Sequence, residues 1–361
     1  MQFQLKTRQV CLFLIAFLSI TKLFILPSIL SLHANEDMWI SSLLSLLLDF
    51  VTLLFVINAC KKSKTNLFGL LENNFGKTLA KIILGFYFVY FMLKAIIPLN
   101  EQKDYVELTL YTLKPSKLYF LPFFAVAFYL CQKPLRVIGR VSDVLWIFTT
   151  IGTVLLFALS LPNADFEALL PVGANSIKNI ASGSYATLNW FGDALYIAFF
   201  IGEFEYKKKD GIKIILSFLI SALIVILFMI IFYSVFTSIA FRQRFALTEI
   251  SKYTAVINNI GRFDYVGIVL ILFSNVFALS LPLFFSCKIL NYICNFNKKW
   301  IAPIIVIIIE SLILIIFTQY YLSIENVIMT YGGAYFLLLG NVLPILTVFL
   351  KSKEIKNEIY A

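Results

Sequence analysis

The sequence predicts an all-α integral membrane protein that crosses the lipid bilayer about ten times. Of the 361 residues, 60% are apolar and only 14% are charged, whereas a soluble domain carries about 25% charged residues. The apolar residues form long unbroken runs, which are typical of helices that satisfy their own backbone polar groups in lipid. We therefore expect a single transmembrane domain over residues 1–361, without a soluble domain.

The apolar runs give the order and approximate bounds of the spans. The predicted spans are Val10–Leu32, Met38–Cys60, Thr78–Leu99, Leu118–Cys131, Ser142–Leu161, Tyr185–Phe204, Gly211–Phe236, Asp264–Leu290, Ile301–Tyr321 and Tyr331–Leu350. The fourth is short for the ~20 residues of a span, and the sixth contains several polar residues. The first is too long for the apolar region of a secretory signal, and no small-x-small cleavage site follows it, which favours a retained span.

Lysine and arginine predict the orientation of these spans. They are concentrated in alternate connections, beginning with the N-terminal segment, so both termini are expected in the cytoplasm. The net charge of +10 is then explained by cytoplasmic cations that face anionic lipid headgroups, and a nucleic acid partner is not needed. The five cysteines lie at the cytoplasmic ends of spans or in an inside loop and are too scattered for a metal cluster, so neither a disulfide framework nor a metal or other cofactor is predicted.

Ten spans can divide into two halves of five, residues 1–161 and 162–361, which is the usual basis of an inverted repeat. The first span of each half contains polar or helix-breaking residues. In the first half these are Ser19, Thr21, Lys22 and Pro27, and in the second they are Ser182, Gly183, Ser184, Asn189, Gly192 and Asp193. Interrupted helices at equivalent positions of the two halves predict a substrate site near the middle of the membrane.

Ionisable residues within spans are costly and are functional candidates by default. They are Lys22, Asp49, Lys94, Asp193 and Glu310, with Asp143 nearer the cytoplasmic edge. Lys22 and Asp193 fall in the two interruptions, where free backbone amides and carbonyls could hold an amino acid, although either could instead pair within the bundle. The predicted ligand-binding residues are Ser19, Thr21, Lys22, Gly192 and Asp193. Asp49, Lys94 and Glu310 are candidates for structural or coupling roles, and Lys94, near the outer end of its span, is expected to extend toward the outer interface.

Enzyme signatures are weak, and no catalytic residues are predicted. The single histidine, His33, excludes a multi-histidine metal site and makes a histidine-based triad implausible. Gly192-Asp193 together with Asp49 is similar to the paired aspartates of intramembrane proteases. Those proteases also have a glycine where this chain has Trp190, so proteolysis is the weakest alternative.

The chain resembles the B subunits of GerA-type spore germinant receptors, within the amino acid–polyamine–organocation superfamily. The resemblance rests on the order and spacing of short pieces along nearly the whole chain. They are Lys6-Thr7-Arg8-Gln9, Leu26-Pro27-Ser28, Asn66-Leu67-Phe68, Gly76-Lys77, Gly139-Arg140, Leu170-Pro171, Gly192-Asp193 and Arg262-Phe263-Asp264. At the first interruption the relatives have glycine or small residues, whereas this chain has Ser19, Thr21 and Lys22, which leaves the identity of the ligand open.

The resemblance implies a LeuT-type fold of five plus five helices, in which the first and sixth helices are discontinuous. It also implies an amino-acid-like germinant bound beside those two helices, A and C partner subunits, and a place in the inner membrane of a spore. The alternative function on the same fold is an amino acid permease, with or without proton coupling through Asp193 or Glu310.

Overall fold

The computed structural model of the chain describes residues 4–62, 65–109, 120–252 and 264–349, which fold almost entirely into helices. The helices are α1 (Thr7–Ile20), α2 (Leu26–Ala34), α3 (Met38–Lys62), α4 (Leu67–Thr109), α5 (Phe120–Cys131), α6 (Leu135–Ser160), α7 (Ile177–Ala186), α8 (Ala194–Phe199), α9 (Asp210–Phe236), α10 (Ala246–Lys252), α11 (Asp264–Cys294), α12 (Ile301–Gln319), α13 (Tyr321–Val327) and α14 (Gly333–Leu337). Two π-helical turns, Ile328–Gly332 and Leu338–Val342, flank α14. Within the described ranges, the one β-type pairing is a parallel bridge between Leu5 and Phe204.

Among the described residues, six helical segments are long and apolar enough to cross a membrane. They are Leu26–Lys61, Leu67–Asp104, Leu135–Asn163, Asp210–Arg242, Ile301–Gln319 and Ser323–Phe349. The all-helical, multi-pass character predicted from the sequence is thereby confirmed. The helices of the first, fourth and sixth predicted spans, such as α1 and α5, are shorter than the ~20 residues of a full crossing, whereas the eighth predicted span lies within α11, which is 31 residues long. The count of ten therefore stays a prediction.

The surface of the bundle is apolar where lipid would cover it. On α9, Ile212, Leu216 and Leu223 are exposed, whereas Phe218 and Phe228 are buried. In water such an exposed apolar face would be unfavourable, but in a bilayer it contacts lipid tails of similar polarity. The helices thus bury one face against each other and present the other to the membrane.

Several predicted bounds differ from the structure. The sixth predicted span begins at Ile177 rather than Tyr185, because the Ser176 side chain accepts a hydrogen bond from the Asn179 N–H and caps the helix. The fifth begins at Leu135, directly after Pro134, rather than at Ser142. The third is the inner part of α4, which begins at Leu67 and is interrupted at residue 76.

Parts of some predictions lie outside the described residues. These are the start of the fourth span at Leu118, the end of the tenth at Leu350, and the pair Arg262-Phe263.

Packing brings the short helices to the centre of the molecule. α1 packs against α6 and α9, while α4 packs against α11. Phe91 on α4 and Phe285 on α11 stack with ring centroids 5.4 Å apart. The centroid of the Phe199 ring on α8 lies 5.1 Å from each of these two centroids. This aromatic cluster fixes α8 between α4 and α11, next to the interruption that precedes α8.

Candidate functional site

Two helix interruptions meet inside the bundle, as the sequence predicts. The first separates α1 from α2 over residues 21–25, and Pro27 in the first turn of α2 cannot donate the backbone hydrogen bond that a continuous helix needs. The second runs from the end of α7 through a short 3-10 turn to α8. Its Gly192 has φ of 86°, a conformation that other residues rarely adopt.

A buried ion pair joins the two interruptions. The Lys22 ammonium donates a hydrogen bond to the Asp193 carboxylate, and the two side chains are only 1% and 5% exposed. The same ammonium donates to the Leu18 carbonyl at 2.6 Å and lies 5.3 Å from the centre of the Phe191 ring. Lys22 is therefore paired with Asp193, and the pair is at the point where the two interruptions approach each other.

Asp49 of α3 holds the second interruption in place. Its carboxylate accepts the Gly192 N–H at 2.9 Å and the Asp193 N–H at 3.1 Å, and it also accepts the Asn341 amide at 3.0 Å. Backbone N–H groups freed where a helix is interrupted need such acceptors when they are buried. Of the roles considered from the sequence, this geometry favours a structural one for Asp49.

Lys94 of α4 points into the bundle, so the expectation that it extends toward the interface is wrong. Its ammonium donates to the backbone carbonyl of Phe191, and the residue is 8% exposed. The carbonyl is free because residue 191 lies in the interrupted segment, and a buried carbonyl without a donor is costly. Lys22 and Lys94 thus face Asp49 and Asp193, which gives the site two cations and two carboxylates.

A small cavity opens beside this charged group. Its volume is about 30 Å³, which is room for about two water molecules. Polar groups on its wall come from Thr21, Lys94, Asn189 and Asp193. The other lining residues are Phe13, Leu18, Pro98, Trp190, Tyr196, Ala278, Leu279, Leu281 and Pro282. The buried Asn189 side-chain oxygen accepts no hydrogen bond from the described residues, so it remains available to a ligand in the cavity.

Not all predicted site residues come together. Thr21, Lys22, Gly192 and Asp193 lie at the meeting point of the interruptions, but the Ser19 hydroxyl donates to the Ile15 carbonyl of its own helix at 2.8 Å. Glu310 of α12 is fully buried, and neither carboxylate oxygen has a hydrogen-bond partner among the described residues. It is absent from the described lining of the cavity.

Two polar residues complete the site: Asn341, which the sequence analysis did not identify, and Asn189, which it placed in the second interruption but not among the ligand-binding residues. Asn341 connects the last helical segment to the site by donating to Asp49 and to Thr52, each at 3.0 Å. Asn189 belongs to a segment whose polar character is evident in the sequence, but its availability as an acceptor is not. A lone asparagine in the apolar run after Gly340 was the signal that could have identified Asn341.

The two carboxylates of the protease alternative have separate partners. Asp49 accepts N–H groups and an amide, whereas Asp193 is paired with Lys22. Aspartic proteases instead rely on two carboxylates that share one proton. The arrangement therefore does not favour hydrolysis.

The sequence matches a known protein family, and the fold is similar to that of a known transporter. A sequence model of the family described as spore germination protein matches residues 4–327. None of the curated proteins compared with the sequence matches it. Two crystal structures of variants of the Eremococcus coleocola manganese transporter have a similar fold. Each has a TM-score of 0.58 and 8% sequence identity, over 96% of this chain and 76% of the transporter. At this identity the likeness concerns the fold alone.

Proposed function

We propose that the chain, which belongs to the spore germination protein family, is the membrane subunit of a germinant receptor. In this proposal an amino acid or a similar small molecule binds between the two interrupted segments. Binding then signals to A and C partner subunits. The observation that carries the proposal is the buried Lys22–Asp193 ion pair beside the cavity.

The ion pair presents the two charges that a zwitterionic ligand can replace. A ligand carboxylate would take the place of Asp193 beside Lys22, and a ligand ammonium would take the place of Lys22 beside Asp193. Asn189 supplies a further acceptor for that ammonium. Separation of a buried ion pair is strongly unfavourable unless both charges find new partners. The site therefore favours a ligand that carries both charges over an amine or an acid alone.

The charge balance of the site supports the same ligand class. The cations Lys22 and Lys94 are matched by the carboxylates Asp49 and Asp193. A zwitterion leaves this balance unchanged, whereas an ion of one sign adds an uncompensated buried charge, which is costly. An amino acid with an uncharged side chain fits this requirement.

Binding must be accompanied by a change of shape. The cavity of about 30 Å³ is smaller than the ~300 Å³ or more of a typical ligand pocket. A ligand therefore selects a conformation in which the segments have moved apart, and its differential affinity for that conformation drives the signal. The partner subunits would respond to the movement of the interrupted helices.

The finer topology belongs to the same proposal. We expect ten crossings in a LeuT-type arrangement of two inverted halves, residues 1–161 and 162–361, within one transmembrane domain. Both termini are expected in the cytoplasm, and the membrane is expected to be the inner membrane of the spore. The fold likeness to the manganese transporter supports a transporter-like architecture.

A second candidate function on the same fold is an amino acid permease with or without proton coupling. A receptor and a permease can share one site and one fold. They differ in whether the bound molecule crosses the membrane. Catalysis is not part of either candidate.

Deletion of the gene in its native host tests the receptor. We expect purified spores to lose nutrient-triggered release of dipicolinic acid in response to one amino acid, while growth on that amino acid and its uptake stay normal. Unchanged germination to every nutrient, with reduced uptake, would instead support the permease. Flux into liposomes that contain this chain alone provides an independent measurement, since a receptor does not require net transport.

Complementation of the deletion tests the site. We expect Asp193→Asn to abolish the response while the protein is still present in the membrane, and Lys22→Gln to do the same. The matched controls are Asp165→Asn and Lys178→Gln, which change exposed residues away from the site. A normal dose response with Asp193→Asn would show that the ligand does not bind at the Lys22–Asp193 ion pair.

A further inference from the structure

A second cavity, separate from the ligand site, lies where α1 and α6 begin. Its volume is about 530 Å³, within the ~300–1,000 Å³ range of small-molecule sites. It is lined by Gln4, Leu5, Lys6, Arg8, Gln9, Arg136, Arg140 and Asp143. We call it the basic cleft and infer that it binds the phosphate of an anionic lipid headgroup.

The charges of the basic cleft are unbalanced. Of its described lining residues four are basic, and Asp143 is the one carboxylate among them. Both oxygens of Asp143 are already occupied, one by Arg8 at 2.9 Å and the other by the Gln9 amide at 2.8 Å. Lys6, Arg136 and Arg140 are left with no ion pair among the described residues, so the cleft attracts an anion.

The groups present are suited to phosphate. A guanidinium donates two parallel hydrogen bonds to phosphate oxygens, and Arg136 and Arg140 are four residues apart on the same helix. α1 begins at Thr7 and α6 at Leu135, so the positive ends of two helices face the cleft. These partial charges act in the same direction as the basic side chains.

The cleft has a rigid floor. Leu5 and Gln9 are buried, and they pack so closely on Gly139 that a Cβ there would lie 2.6 Å and 2.8 Å from their side-chain atoms. The Gln4 side chain accepts the Leu135 N–H at 3.1 Å, which attaches the N-terminal segment to the start of α6. The basic side chains are therefore displayed on a fixed backbone rather than on a free terminus.

The position of the cleft identifies the lipid as the source of the phosphate. Its basic residues adjoin the apolar helices α1 and α6, at the ends that the distribution of Lys and Arg predicts to face the cytoplasm. The cytoplasmic leaflet carries anionic headgroups, and basic pockets between membrane helices on that side bind them. A headgroup can thus enter the cleft from the leaflet while its acyl chains stay beside the helices.

The test compares lipid binding by the full-length chain and by two double variants. The first is Arg136→Gln with Arg140→Gln, and the control is Lys208→Gln with Lys209→Gln, which removes two exposed lysines outside the cleft. Each protein is placed in phosphatidylcholine nanodiscs that contain a small fraction of phosphatidylglycerol. Native mass spectrometry then measures how much phosphatidylglycerol stays bound to the protein. We expect the arginine variant to bind phosphatidylglycerol at least about tenfold more weakly, with little change in the control. The exposed arginines are not part of the core, so both variants should elute as the parent protein does.

Four outcomes would overturn the inference. An equal loss in both variants would indicate a general effect of surface charge, and no loss in the arginine variant would show that the cleft does not hold the headgroup. Displacement of the lipid by millimolar inorganic phosphate would assign the cleft to a soluble anion. If the arginine variant loses a copurifying partner subunit while its lipid retention is unchanged, the cleft binds an acidic protein segment instead.

Discussion

Lys22 and Asp193 are 171 positions apart in the sequence, yet their side chains form an ion pair that is almost completely buried. Each belongs to an interrupted helix, and neither interruption would be stable without polar partners for its exposed backbone. The ion pair therefore holds together two segments that a ligand must separate.

Replacement of one member of this pair should destabilise the protein more than replacement of both. Lys22→Met leaves Asp193 buried without its cation, at an expected cost of about 3–5 kcal/mol. Combining Lys22→Met with Asp193→Leu should recover most of that stability, because two apolar side chains can replace a buried pair at little cost. Thermal unfolding of the detergent-solubilised protein measures both effects.

The same double variant separates stability from function. Since it cannot provide charges to a zwitterion, it should remain folded but fail to respond to the germinant. A double variant that responds normally would contradict the exchange of charges between the ion pair and the ligand.

Loss of the Asp49 carboxylate should loosen the second interruption. Asp49→Ala removes the acceptor of the Gly192 and Asp193 N–H groups and of the Asn341 amide. Each unsatisfied buried donor costs about 1–3 kcal/mol, so we expect a marked fall in the unfolding temperature. Hydrogen exchange should become faster at the amides of residues 192 and 193, with α9 as the internal reference. Unchanged exchange at those two amides would show that Asp49 does not hold the segment.

Gly192 should not tolerate a side chain. Its φ of 86° disfavours alanine, at an expected cost of about 1–2 kcal/mol, and an added Cβ would also overlap the Tyr90 hydroxyl. Gly192→Ala should therefore lower the unfolding temperature, and Tyr90→Phe in the same protein should restore part of the loss by removing the overlapping oxygen. Gly85→Ala is the control, since that helical glycine has open space around its Cα. No rescue by Tyr90→Phe would mean that backbone strain alone causes the loss.

Glu310 should be replaceable by glutamine without loss of stability. An ionised carboxylate that is fully buried and has no partner among the described residues is costly. Glu310→Gln keeps the shape and removes the charge, so the unfolding temperature should stay the same or rise. If the permease alternative holds and Glu310 carries its proton, the variant should be stable yet fail to accumulate substrate when a proton gradient is the driving force. A large destabilisation would indicate that the carboxylate has an essential structural partner.

Much of the architecture could be predicted because lipid imposes strong constraints on a sequence. The apolar runs located α3, α9 and α12 closely, since a crossing needs a fixed length of apolar helix. The interruptions before Leu26 and Ala194 were also evident, from proline, glycine and charged residues within apolar runs. The start of α7 was misplaced because its capping residue, Ser176, lies in a polar segment that no membrane constraint delimits.

The site was predicted only in part, because the remainder depends on tertiary contacts. Lys22 and Asp193 were recognisable because a charge within a span is rare. That they pair with each other, and that Lys94 turns inward to the Phe191 carbonyl, depends on which helices become neighbours. Hydropathy carries no information on that choice. The same holds for Asn341, which contacts Asp49 although 292 positions separate them.

The parallel bridge at Leu5 and Phe204 has a mechanical consequence. The Gln4 and Leu5 N–H groups donate to the Glu203 carbonyl at 2.8 Å and 3.0 Å, close to the end of α8. At the opposite end of α1, Lys22 is joined to Asp193 at the start of α8. While the ion pair is intact, α1 and α8 are attached to each other at both ends, so neither is expected to tilt without the other. A ligand that separates Lys22 from Asp193 leaves the bridge at Leu5 and Phe204 in place, so opening would proceed as a rotation of α1 about that bridge.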